Sequence, residues 1–329
     1  MANISPAGAS VRAKTGHALK AGFEKGWRGY FWLLKILVPI SFATFLLDTS
    51  GWLHHLDFLL APVMDLMRLP PEAALVLLVG MATGIYGAVA AMAVLPLTQA
   101  HMTLIAVFLL ISHNLVQEGI IQGKSGFHPF KATVVRLITS MATVIAVGFF
   151  LEPSGPAALA GAAPVAADPA FLTLLSAWVI QTVILAAKIF GIILALMAVL
   201  ELMKSFDLMD ILVRRLSPVL KLMGLPPQVG FLWLAAGLFG ISYGAAVIVE
   251  ETRGGRYDPD DLNRLHVSIG INHAMVEDPA LFLALGIGAF WLWVPRIIAA
   301  IAAVYFFSLW ARGRKRVRSL AAHRSAGAH

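Results

Sequence analysis

The sequence predicts an all-α integral membrane protein built from two inverted copies of one unit. Each copy is expected to hold about three spanning helices plus a re-entrant or broken helical segment. Three observations carry this reading: an excess of apolar residues, an internal repeat, and an uneven placement of basic residues. Of the 329 residues 59% are hydrophobic and 13% charged, with mean hydropathy +0.81, whereas a soluble domain has about 25% charged residues. About 20 apolar residues cross the hydrocarbon of a bilayer. The stretches near 28–47, 72–95, 131–151, 170–203, 229–249 and 289–311 are long enough, and shorter or interrupted ones lie at 56–68, 99–121 and 265–288. With no cysteine, disulfides, thiolate metal sites and iron–sulfur clusters are excluded. The first apolar run is of full span length and lacks a small-residue cleavage site, so no cleaved signal is expected.

The repeat comes next along the chain. "APVMDLMRLPPEAALVLLVGMATGIYGAVA" (61–90) is matched by "SPVLKLMGLPPQVGFLWLAAGLFGISYGAAV" (217–247). Pro62, Leu66, Met67, Leu69, Pro70 and Pro71 align with Pro218, Leu222, Met223, Leu225, Pro226 and Pro227. After one inserted residue Tyr86 aligns with Tyr243. Lys35 and Asp57 align with Lys188 and Asp210, "ISHNLVQEG" (111–119) with "INHAMVEDP" (271–279), and Arg136 with Arg296. The chain divides accordingly into a basic cytoplasmic segment (1–27), a first membrane repeat (28–151), an external linker (152–169), a second repeat (170–311) and a basic cytoplasmic tail (312–329).

Charge sets the orientation. Lys14, Lys20, Lys25 and Arg28 precede the first span and "RGRKRVR" (312–318) follows the last, while the linker 152–169 has no Lys or Arg. By the positive-inside rule both termini are cytoplasmic, in the inner membrane, and the two copies run in opposite directions, as in many secondary transporters. The net charge of +7 is placed to meet anionic lipid, which argues against nucleic acid as a partner. Residues 12–27 read as a basic amphipathic helix on the inner membrane surface. An odd number of crossings per copy is met by spans at 28–47, 72–95 and 131–151, with 99–121 re-entrant; parity alone does not single out the re-entrant segment.

Within the second copy "GINHAMVEDPALF" (270–282) sets His273, Glu277 and Asp278 in an apolar surrounding. Asp278-Pro279 reads as a helix N-cap with proline in the first turn. The chain is therefore expected to unwind at 276–278 and to restart as a short helix over 279–288, with a matching deviation near 117–119 in the first copy. Ionisable groups at membrane depth are costly and serve substrate binding, ion paths or proton relay. The candidate binding residues are His273, Glu277, Asp278, His113, Glu118, Gln117, Asn272, Asn114, Tyr243 and Tyr86. His273 and Glu277 are expected to carry the essential chemistry. As metal ligands His273, Glu277, His113 and Glu118 are singled out, because imidazole and carboxylate both bind divalent first-row metals. No cofactor is certain from the sequence, and a bound divalent metal ion stays open. Glu250 and Glu251 end a span, as gate residues or as solvated interface residues. Gly80/Gly84 and Gly240/Gly244 are small-xxx-small pairs, which suit either close helix packing or substrate lining.

"GISYGAAVIVEETRGG" followed by "INHAMVEDPALF" resembles the Gate, or nucleoside recognition, family of membrane domains. Related segments occur in concentrative nucleoside transporters, ferrous-iron transporters and spore-maturation membrane proteins. The resemblance implies a transporter-like membrane fold with re-entrant elements and leaves the substrate open. No hydrolase or protease motif is found, and an enzyme is not expected. The leading reading is a secondary transporter of a cation, either a divalent metal or a proton coupled to a solute. A nucleoside-like solute and a non-transporting scaffold or sensor subunit are the alternatives. The expected partners are the lipid bilayer and a small-molecule or ion substrate; a homo-oligomer or a membrane partner is left open.

Overall fold

Apolar runs of this length have one stable form in lipid, the helix, because every backbone polar group must be satisfied within the segment. The computed structural model describes residues 11–51, 57–151, 171–206, 208–252 and 257–326, and among these there is no strand. Among the described residues five helices are long and apolar enough to cross a membrane: Val11–Thr49, the broken pair Gln99–Lys124, Pro129–Gly148, Phe171–Ser205 and Ala289–Gly313. The chain is a multi-pass membrane protein. The linker 152–169 lies outside the described residues.

Helix α1 (Val11–Thr49) pairs along its length with α8 (Phe171–Ser205). Glycines allow the close approach. A Cβ at Gly22 would lie 2.7 Å from the Ala198 backbone, and one at Gly26 2.9 Å from the Leu194 side chain. Farther along, Tyr30 packs on Phe190, the Trp178 indole donates to Ser41 Oγ at 2.9 Å, and Phe45 meets Phe171. Numbers rise on α1 as they fall on α8, so the two helices are antiparallel. Residues 12–27 are therefore not a separate surface helix. They continue α1, held by the α8 contacts and by the Lys25–Glu201 ion pair at 2.8 Å, and no capping residue interrupts the run.

Helix α2 (Asp57–Leu66) leads to the segment expected as one span, 72–95, which instead folds back on itself. Helix α3 (Ala73–Thr83) ends at Gly84, with φ 93° and ψ −175°, and α4 (Ile85–Met92) returns beside it. A Cβ at Gly80 would sit 3.0 Å from that of Ala88, and one at Gly87 3.0 Å from Val79; residues eight apart in a straight helix are separated by about 12 Å. The backbone at Gly84 is in a region open in practice only to glycine, which is why the fold-back occurs there. The hairpin is thus 73–92. The segment expected to be re-entrant, 99–121, instead forms the long broken helix α5 (Gln99–Ser112) and α6 (Leu115–Lys124).

Helix α7 (Pro129–Gly148) completes the first copy. The second copy has α9 (Leu208–Leu222), a 3-10 turn (Pro227–Val229), α10 (Gly230–Thr252) broken at Gly240 (φ 79°), α11 (Pro259–Ile271), α12 (Glu277–Leu283) and α13 (Ala289–Ala326). The two apolar cores interlock. The core around α3–α5 takes in Leu281, Phe282 and Leu292 of the second copy, and the core around α10, α11 and α13 takes in Ile111, Phe127 and Ala132 of the first.

Candidate functional site

Both breaks follow the same plan. In the first copy α5 stops at Ser112, and Asn114 adopts a left-handed conformation (φ 48°) before α6 begins. In the second, α11 stops at Ile271, and Ala274 takes φ 46° before α12. Each break rests on the bend of the neighbouring element. Asn114 N–H donates to Gly80 O at 3.0 Å, and Ala274 N–H to Ala236 O at 3.2 Å; a Cβ on Gly84 would face Asn114, and one on Gly240 would face Ala274. The chain therefore unwinds at 272–276, ahead of the expected 276–278. The short helix is Glu277–Leu283 with Val276 at its N-cap, not 279–288 capped by Asp278. Residues 117–119 are helical.

The position of the breaks is explained by two arginines. Breaking a helix exposes carbonyls that lipid cannot satisfy. Arg136 on α7 donates from Nε to Ile111 O at 2.7 Å and from Nη2 to His113 O at 2.7 Å. Arg296 on α13 does the same for Ile271 O, at 2.7 Å, and His273 O. Both guanidinium groups are buried. Sequence comparison paired these arginines but gave them no role; the signal was a matched cation mid-span in each copy, which needs a buried acceptor.

The clamped breaks turn His113 and His273 toward each other. His113 Nδ1 lies 2.8 Å from Leu109 O and His273 Nδ1 2.7 Å from Ile269 O. A carbonyl oxygen only accepts, so both Nδ1 atoms carry hydrogen and the Nε2 atoms face inward. The two Nε2 atoms are 3.3 Å apart. Glu118 Oε1, from the first turn of α6, is 3.2 Å from His113 Nε2 and 3.1 Å from His273 Nε2. Its other oxygen is paired with Arg136 Nη1 at 2.6 Å. His273 is 1% exposed, Glu118 4% and His113 6%, so water does not screen the group. Asp278 Oδ2 approaches His113 Nε2 at 3.4 Å from the second copy.

The remaining candidates lie around this centre. Glu277 stands apart from the triangle and accepts a hydrogen bond from Tyr86 OH on α4. Asn114 donates to Gln117 at 3.2 Å, and Gln117 is exposed. Asn272 is buried. Glu250 is exposed and Glu251 half-buried near the end of α10, and the side chain of Tyr243 lies outside the described residues. Three of the four expected metal ligands, His113, Glu118 and His273, come together, and Glu277 does not join them. Gly84 and Gly240 act as bend points, which neither reading of the small-xxx-small pairs foresaw. A groove of about 920 Å³ between α7 and α13 is lined by apolar residues such as Ile138 and Phe306 and contains none of the candidates.

Chemically, two imidazole lone pairs and a carboxylate oxygen meet in one buried triangle. A proton or a cation relieves their mutual repulsion; an anion or an apolar group does not. The Nδ1–carbonyl bonds and the Arg136–Glu118 pair are supports of the kind that orient metal ligands.

Comparison with known proteins adds a family to this geometry. The chain is 26% identical over 285 residues to the uncharacterized membrane protein YvoD of Bacillus subtilis (strain 168), covering 86% of this chain and 90% of that protein. No solved structure matches. Residues 30–157, which hold the C-terminal half of α1, the glycine-vertex hairpin, the α5–α6 break and Arg136, match the Gate family model, described as nucleoside recognition.

Proposed function

We propose that the protein is a secondary transporter that carries a divalent first-row transition-metal cation through a site between two inverted copies. The observation that carries this reading is the triangle of His113 Nε2, His273 Nε2 and Glu118 Oε1, with edges of 3.1–3.3 Å. Ligand bonds of about 2.0–2.1 Å separate neighbouring ligand atoms by roughly 3.3 Å in a tetrahedron and roughly 3.0 Å in an octahedron. Imidazole suits Fe, Ni, Cu and Zn and carboxylate also suits Mn, whereas Ca²⁺ takes 6–8 oxygens at about 2.3–2.6 Å. Three protein ligands leave coordination positions free, which suits an ion that must leave again. The antiparallel α1–α8 pair and the matched breaks support the inverted arrangement, and the basic ends support an inner-membrane protein with cytoplasmic termini. This reading assigns no catalytic step.

The test is uptake by the purified chain in proteoliposomes with an entrapped metal indicator. Zn(II), Co(II) or Mn(II) is expected to enter, with a tenfold excess of Mg²⁺ or Ca²⁺ having little effect. Protons compete for the imidazole lone pairs, so uptake is expected to fall as the pH is lowered. No uptake of any of the three metals at pH 7.5 overturns the reading. A nucleoside-like solute is the second reading, favoured by the description of the matching family model; uptake of uridine or adenosine without metal would give it the lead.

A further inference from the structure

The two copies supply equivalent carboxylates in unequal states. Glu118 and Asp278 occupy matched places, as do Arg136 and Arg296. Glu118 is bound from both sides, by Arg136 Nη1 at 2.6 Å and by the two imidazoles. Asp278, although buried, forms no ion pair with Arg296. Glu118 Oε2, Asp278 Oδ2 and Arg296 Nη1 all lack a well-formed hydrogen bond among the described residues, but Glu118 Oε2 lies 2.6 Å from a guanidinium nitrogen whereas Asp278 Oδ2 has only the 3.4 Å contact with His113 Nε2. A buried guanidinium N–H and a buried carboxylate oxygen left unmatched are each costly. A second arrangement that satisfies both would offset that cost.

We propose that Asp278 is the receiving ligand of a hand-over, and this rests on the metal-transport reading above. In the arrangement described, the cation is held by His113, His273 and Glu118, with Glu118 positioned by Arg136. In the second arrangement Asp278 swings onto the two imidazoles and its other oxygen pairs with Arg296 Nη1, while Glu118 withdraws. Both histidines hold the ion throughout. It leaves a carboxylate of one copy for that of the other, and so passes from one repeat toward the other without losing its imidazole ligands. Arg136 and Arg296 are positioning residues: neither touches the cation, and each acts through a carboxylate and through the carbonyls of the break beside it. The 3.4 Å approach of Asp278 Oδ2 to His113 Nε2 is the start of that movement.

The hand-over separates binding from transport, and Co(II) is the probe for both. Equilibrium dialysis of the full chain in detergent measures Co(II) binding, and proteoliposome uptake measures Co(II) transport. Glu118→Gln is expected to weaken binding by at least about tenfold and to lose uptake with it, as removal of a ligand does. Asp278→Asn is expected to bind Co(II) within about threefold of the unaltered protein yet to lose at least about tenfold in uptake rate. If Asp278→Asn weakens binding as much as Glu118→Gln, Asp278 is a resident ligand and the hand-over is wrong. If Asp278→Asn transports normally, Asp278 takes no part and the hand-over is again wrong. Failure of the unaltered protein to bind or move Co(II) is a different result: it overturns the transport reading itself, and the hand-over falls with it.

Discussion

The two helix breaks share a backbone and differ in how completely they are satisfied. In the first copy the break is closed: Arg136 binds two carbonyls and Glu118, and Ser112 Oγ donates to Ser140 Oγ at 3.0 Å. In the second copy the same carbonyls are bound by Arg296, but Arg296 Nη1, Asp278 Oδ2 and both polar atoms of the Asn272 side chain have no hydrogen-bond partner among the described residues. Backbone satisfaction is duplicated because lipid demands it of both. Side-chain satisfaction is not, which is what the proposed hand-over requires. The contacts kept in both copies are those the fold requires, and the departures from symmetry are the places to test for function.

That contrast can be broken most directly at the arginines. Arg136→Met removes two carbonyl donors and strands the Glu118 charge, and is expected to cost about 3–5 kcal/mol of stability, the price of opening a buried ion pair. Arg296→Met removes the same backbone donors but no closed ion pair, and is expected to cost about 1.5–3 kcal/mol. Unfolding of the metal-free protein from detergent by added SDS measures both, and equal losses would mean that the asymmetry has no energetic content. The bend glycines sharpen the other half of the comparison. Gly84→Ala and Gly240→Ala should each cost about 1–3 kcal/mol from backbone strain, because a Cβ at either site meets only ordinary contacts, 3.8 Å and 3.6 Å away. A large effect at one glycine alone would show that the shared backbone plan is superficial. The smallest effects are expected one residue before the histidines. Ser112→Ala loses a buried hydrogen bond, for about 1 kcal/mol, while Asn272→Ala relieves an unmatched amide and should leave stability unchanged or raise it by about 1 kcal/mol. A loss at Asn272 as large as at Ser112 would place a partner on its amide.

Much of this arrangement is legible from residues alone. The aligned His113 and His273, the carboxylates beside them and the matched arginines are visible as a repeat, and burial of ionisable side chains in an apolar chain marks them as a site. The positions of the breaks were not legible. Asp278-Pro279 is a strong local cap signal, but proline is tolerated throughout the first turn of a helix, and Arg296, 18 positions later in the sequence, decides which carbonyls can be left open. Nor could apolar length tell the 73–92 hairpin from a span, since Gly84 changes the chain direction without changing composition. Glu277 was read as the companion of His273 because a continuous helix sets residues four apart on one face. The break removes that face. Glu118 comes to His273 from the other copy, a contact with a sequence separation of 155, which no local spacing encodes.

The arginine clamps also constrain how the protein is made. Arg136 follows the carbonyls it satisfies by 25 and 23 residues, and Arg296 does the same in the second copy. During synthesis each broken segment therefore emerges before its clamp, with carbonyls that hydrocarbon cannot accommodate. Helices α5 and α6 cannot be released into the bilayer singly. They must wait in a wet or protein-lined environment until α7 has been made and then enter together with it, and α11 and α12 must wait likewise for α13. The molecule is thus assembled in two parcels, each sealed by the arrival of one buried cation.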